Sequence, residues 1–130
     1  MKIALFAYSR QGCRVARKVL EYFINEDVRA FTMERFGEEG FQPICRPSAP
    51  FYGPIFQWAD VLVFVGACGI AVREIAPHIR DKRTDPAVIA IDELGRFSIP
   101  LLSGHIGGAN ALALELAKLL DATPIDRKST

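Results

Sequence analysis

Residues 60–77, DVLVFVGACGIAVREIAP, join an apolar run to glycines and then to helix-compatible sequence; residues 80–88, RDKRTDPAV, break it with charge; residues 100–120, PLLSGHIGGANALALELAKLL, repeat the pattern. Val61 to Val65 is β-branched or aromatic at nearly every position and apolar throughout, which predicts a central parallel strand covered on both faces. Gly66 and Gly69 mark the turn into a helix whose buried face is read as Val72, Ile75, Ala76 and Ile79. Pro77 must kink or split that helix, because proline removes a backbone donor and clashes with the preceding turn. Ala87 to Ile91 is a second apolar strand. Asp92-Glu93-Leu94-Gly95 then reads as a hairpin, with Gly95 where a positive φ is needed, leading into a strand over Arg96 to Leu101. From Ala109 the chain is helical, with Leu112, Leu116, Leu119 and Leu120 expected inward and Glu115 and Lys118 outward.

Outward from this stretch the same alternation holds. Lys2 to Tyr8 is another continuous apolar run and so another covered strand. Ser9 can cap a helix over Gln11 to Ile24, whose apolar stripe is Val15, Ala16, Val19, Leu20 and Phe23. Val28 to Met33 reads as a strand, and Ala122 to Ile125 as a last short one. Residues 35–58 carry so many prolines and glycines that they are expected to form an irregular loop, ending in a helical turn near Ile55 to Ala59. Phe41, Phe51, Tyr52, Phe56 and Trp58 argue that this loop folds over the domain, since a solvated linker would not carry them. The whole predicts one domain over 1–130: a three-layer α/β/α sandwich with a mostly parallel central sheet, Rossmann-like in kind.

Sixteen Lys and Arg against 15 Asp and Glu leave no global field to attract nucleic acid or an anionic membrane. Cys13, Cys45 and Cys68 are widely spaced, without zinc-site pairing or disulfide density, so reduced thiols and a cytoplasmic location are expected. The N-terminal run reads as a strand and not a signal, and no run reaches a membrane-spanning length.

Chemistry is expected at the glycine turns, because ligands of such sheets sit beyond strand ends. VGACGIAV could offer amides at a helix N-terminus to an anion, although Gly66 and Gly69 serve equally to bring strand and helix close. In SGHIGGAN, Gly104, Gly107 and Gly108 free the backbone to approach a ligand, and Asn110 offers an amide. His105 is the candidate general base or donor, its other reading being a brace for the turn. Ser103 stands beside it, as a hydrogen-bonding or capping group more than a nucleophile. Arg80, Lys82 and Arg83, with Arg73 on the preceding helix, suit a ligand carrying several carboxylates, as well as a plain solvated loop. The two turns are expected to form two sides of one rim with RDKRTDP between them. His78, Asp92 and Glu93 read as surface or turn residues.

The ordered blocks GIAVR, DKRTDPAV, D-x-x-G-R-F and LLSGHxGGAN, over about half the chain, resemble the N-terminal domain of the CbiG proteins, the cobalt-precorrin-5A hydrolases of anaerobic cobalamin biosynthesis. The resemblance implies an enzyme that opens a lactone on a cobalt corrinoid and releases acetaldehyde. It implies no cofactor of the protein's own, since cobalt is carried by the substrate. Members of that family continue into further domains, so the expected partners are the corrinoid and either those downstream domains or another enzyme of the pathway. A non-catalytic module binding a corrinoid or another anion stands as the alternative.

Overall fold

The computed structural model describes residues 1–103 and 108–125. Its elements run β1 (Lys2–Ala7), α1 (Arg10–Tyr22), β2 (Asp27–Thr32), β3 (Gln42–Pro43), α2 (Ser48–Trp58), β4 (Val61–Val65), α3 (Cys68–Ile75), β5 (Ala87–Ile91), β6 (Phe97–Leu102), α4 (Ala109–Leu120) and β7 (Thr123–Pro124), with 3-10 turns at Glu34–Phe36 and Ala76–His78. Among the described residues the strands form one sheet in the order β3-β2-β1-β4-β5-β6-β7. All neighbours are parallel except β5 and β6, which the Asp92–Gly95 hairpin makes antiparallel. The expected three-layer α/β architecture is the one observed.

Alternation along each strand divides the core in two. Val61, Val63 and Val65 of β4 face α1 and α4. Leu62 and Phe64 face α2 and α3. Both faces of β1, β4 and β5 are covered, and every residue of β4 and β5 is buried, as their unbroken apolar sequence requires. Ser9 caps α1 by accepting from the Gly12 amide at 2.9 Å, and Gly95 takes the predicted left-handed φ of 69°. Pro77 falls where α3 gives way to a 3-10 turn, as expected.

Three expectations are corrected. Residues 35–58 are not irregular throughout: they contain a 3-10 turn, the two-residue β3 and the 11-residue helix α2. Pro50 lies in the first helical turn, where backbone N–H groups have no partner to lose. Pro54 forfeits one helical hydrogen bond, and the burial of Tyr52, Ile55 and Phe56 against the sheet outweighs it. On α3 the sheet-facing residues are Ala71 and Ile75, while Val72 and Ile79 are 52% and 45% exposed. On α4 the buried residues are Ala109, Ala113, Leu116 and Ala117, and Leu119 is 40% exposed. In both helices small alanines let the helix approach the sheet closely, so apolar size alone picks Val72 and Leu119 wrongly, while Leu112, Leu116 and Leu120 do pack on the core as expected.

The β6 end of the sheet is asymmetric. Ser98 points to α4, where its hydroxyl donates to the Ala113 carbonyl at 2.8 Å. Its neighbour Phe97 therefore faces the opposite side and is 44% exposed. Glu74 and His78 turn toward α2, beside Ser48 and Gly53. At 100° per residue this puts Val72 on the flank of α3 away from α2.

Candidate functional site

Reversal of chain direction at β6 decides where the glycine turns lie. Leu102 pairs with Val88 near the start of β5, and the Ser103 hydroxyl donates to the Asp85 carbonyl at 3.2 Å. Ser103 thus sits at the amino ends of β4 and β5. Gly66 sits at the carboxyl end of β4. The expected single rim is corrected: the two turns lie at opposite ends of a five-residue strand, about 16 Å apart. RDKRTDP belongs to the Ser103 end alone.

At that amino edge the backbone is constrained. Ser103 is 7% exposed and holds φ at 58°, a left-handed conformation costly for a residue with a Cβ. Such strain, on the order of 1–3 kcal/mol, persists only where the surroundings enforce it. Here the Ser103 hydroxyl is tied to Asp85, and the Ser103 carbonyl accepts from the Ala109 amide at 3.3 Å. Gly108, φ 81°, closes the loop as the N-cap of α4. Asn110 follows in the first turn, its Oδ1 buried with no hydrogen-bond partner among the described residues. Gly104, His105 and Gly107 lie outside the described residues.

The adjoining charged loop is folded on itself. One oxygen of Asp85 accepts from the Arg80 and Asp81 amides at 2.9 and 3.1 Å. Arg83 grips Asp81 through Nε and Nη2 at 3.2 and 2.8 Å, and this pairing holds the Asp81 carboxyl below its ordinary range. Lys82 is exposed. Beside the loop, Phe56, Gln57, His78, Arg80 and Thr84 line a cleft of about 300 Å³. His78 is half-buried in the 3-10 turn, as its reading as a surface or turn residue allows, and its Nε2 is shielded from solvent with no hydrogen-bond partner among the described residues.

The carboxyl edge is built differently. A Cβ on Gly66 would come within 3.2 Å of the Tyr8 ring, while Gly69 has open space around it. Gly66 therefore serves close packing. Tyr8 and Tyr52 share a 2.6 Å hydroxyl contact, and burial, chiefly, pushes both phenols well above their ordinary values. Next to them Glu74 accepts from Arg46 at 3.3 Å and from the Ser48 hydroxyl at 3.4 Å. Arg73 is exposed on α3.

The family model described as cobalamin synthesis G N-terminal matches residues 51–130, from α2 onward. The chain belongs to this CbiG family. It is 43% identical over 128 residues to the cobalt-precorrin-5A hydrolase of Salmonella typhimurium, covering 98% of this chain and 36% of that protein. It is 38% identical over 125 residues to the cobalt-precorrin-5A hydrolase of Priestia megaterium, covering 94% and 33%. A crystal structure of a cobalamin biosynthesis protein G homologue from Sulfolobus solfataricus superposes with a TM-score of 0.75 at 28% identity, over 98% of this chain and 37% of that one. The chain spans about a third of the length of these relatives. Their alignments take in β1 to β3 as well, so the whole sheet is of the CbiG kind.

Within this CbiG domain the structure brings Ser103, Gly108 and Asn110 to the edge that holds Lys82 and Arg83. It places Gly66 and Gly69 at the other edge. Tyr8, Tyr52 and His78 escaped sequence reasoning. The one available signal for the tyrosines was a polar residue closing the apolar run of β1; nothing local distinguishes His78.

Proposed function

We propose that the chain is the N-terminal domain of a cobalt-precorrin-5A hydrolase and that its chemistry lies at the amino edge, in the loop from Ser103 to Asn110. The observation that carries this reading is the left-handed, buried Ser103 tied to Asp85, a strained position within the most distinctive block of the sequence. The names of the two hydrolase relatives supply the reaction. Water adds to the lactone carbonyl with His105 taking its proton, amides of the loop stabilise the oxyanion, and the ring C–O bond breaks, its oxygen recovering the proton. The hydroxyl freed on the two-carbon unit then loses its proton and becomes a carbonyl as the C–C bond to the macrocycle breaks, the bonding pair passing into the macrocycle, and the unit leaves as acetaldehyde. Lys82 and Arg83 hold acid side chains of the corrinoid, with Arg73 on the neighbouring helix. Cobalt arrives with the substrate. Free Cys13, Cys45 and Cys68 accord with a reducing cytoplasm. The test mixes the purified chain with cobalt-precorrin-5A and follows absorbance and acetaldehyde release. A His105→Ala protein that binds the corrinoid and opens the lactone at the normal rate sinks the assignment of the base.

A second reading is a non-catalytic corrinoid- or anion-binding module completed by a partner. It is favoured by relatives about three times as long, whose remaining part would be that partner. Corrinoid binding without acetaldehyde release selects this reading.

A further inference from the structure

The cleft between α2 and the 3-10 turn Ala76–His78 is separate from the strained loop and has its own chemistry. Its walls are apolar where Phe56 and Pro77 stand, and they carry donors where Gln57, His78 and Arg80 stand. Three features point to a missing ligand. His78 stands in the wall with Nε2 shielded from solvent and without a hydrogen-bond partner among the described residues, so a small turn of the ring that opens Nε2 to the cleft gains a contact. The Arg80 guanidinium, unlike that of Arg83, forms no ion pair among the described residues. Gly53 leaves room: a Cβ there would lie 3.1 Å from the His78 ring, so any larger residue presses on the imidazole.

The lone acidic group at the cleft is Asp85. Its side chain is turned onto the Arg80 and Asp81 amides, which occupy one of its oxygens. A ligand's acid group is therefore directed to the Arg80 side, and its apolar portion to Phe56 and Pro77. We infer that this cleft binds a carboxylate carried on a short apolar arm, with Arg80 gripping the carboxylate and His78 donating to it once its ring turns a protonated Nε2 toward the cleft. Two sources have this chemistry: a free short-chain acid, or an acid side chain of a larger ring. Only the second rests on the hydrolase reading.

Because the chain has two histidines, the ring Cε1–H resonances in NMR report the site directly, and a His105→Gln variant assigns them. Sodium propionate is titrated against sodium chloride at matched ionic strength, and against propionamide as a neutral isostere. The expected result is a saturating shift of the His78 resonance with propionate alone, with affinity falling about tenfold or more in Arg80→Gln, the cost of one charge-assisted contact. Gly53→Ala provides a second variant that changes no charge, and it is expected to weaken binding by crowding the ring. A corrin bearing free acetate and propionate side chains forms the other arm. If it shifts His78 at far lower concentration than propionate, the ring is the source; if propionate alone acts, the free acid is. No saturable shift with either ligand, an equal response to chloride, or an unchanged titration in Arg80→Gln overturns the inference. Acetaldehyde release is measured separately, so failure of the hydrolase reading leaves the propionate result standing.

Discussion

Raising the pH above 10 attacks one specific place in this protein. Tyr8 and Tyr52 meet hydroxyl to hydroxyl at 2.6 Å beneath α2 and α3, and Tyr52 is 1% exposed. Burial, chiefly, holds both phenols far above their ordinary value of about 10; the charge on Tyr52 adds to this for Tyr8 and that on Glu74 for Tyr52, while the hydrogen bond with Tyr8 pulls Tyr52 partly back. The sign follows from proton counting. Above pH 10 the unfolded chain releases these two protons while the folded chain keeps them, so unfolding gains free energy as pH rises. Below about pH 10 neither state ionises and the term is absent. Between pH 10 and 11 each tyrosine costs about 1 kcal/mol, about 2 for the pair, from the 1.36 kcal/mol per unit that linkage sets. The assay is the urea midpoint of unfolding as a function of pH, for the native chain and for the Tyr8→Phe/Tyr52→Phe double variant. The double variant removes both partners, so it should fold with near-native stability at pH 8 and lose most of the extra decline above pH 10. Lysine titration is common to both proteins and cancels in the difference. Tyr52→Phe alone should instead cost about 1–3 kcal/mol at pH 8, because it strands the Tyr8 hydroxyl. Parallel pH curves for the native chain and the double variant would refute the reasoning.

The loop opening at Ser103 yields a second test: Ser103→Gly should be about 1 kcal/mol more stable than Ser103→Ala by denaturant titration, since both lose the bond to Asp85 and glycine alone relieves φ 58°. Alanine equal to or better than glycine there would mean that the position is unstrained. On α4, Leu116→Ala should cost about 2–5 kcal/mol and Leu119→Ala under about 0.5, measured the same way, because the first is fully buried and the second faces water. Among the thiols, burial raises Cys13 above its ordinary value while Cys45 is exposed, so iodoacetamide at pH 8 should label Cys45 rapidly and reach Cys13 only on unfolding. Mass spectrometry of the labelled peptides reads this directly.

Most of the layered fold was legible because strands buried on both faces must be apolar at every position, and β1, β4 and β5 are. Their bounds came within a residue of the observed ones. Helix α2 was not legible, because Pro47, Pro50 and Pro54 signal breakage locally, while the packing of Tyr52, Ile55 and Phe56 that overrides them is contributed by distant strands. The inward face of α3 was misread for a related reason, and that of α4 only at Leu119. Periodicity picks out the largest side chains, whereas the sheet selects Ala71, Ala113 and Ala117 so that the helices can sit close.

By itself the sequence determined that two strand-to-glycine-to-helix turns flank a cationic loop, and that the blocks within them are those of the CbiG family. Only tertiary structure decided which turn the loop serves. The Asp92–Gly95 hairpin reverses β6, so Ser103 shares the amino edge with RDKRTDP and VGACG stands alone at the carboxyl edge. Strand direction is set by pairing between distant segments, Val88 with Leu102 and Ile91 with Ser98, and no local pattern encodes it. The cleft of His78 and Arg80 has the same origin: its walls come from α2, from the turn after α3 and from the approach to β5, three segments brought together by the sheet beneath them.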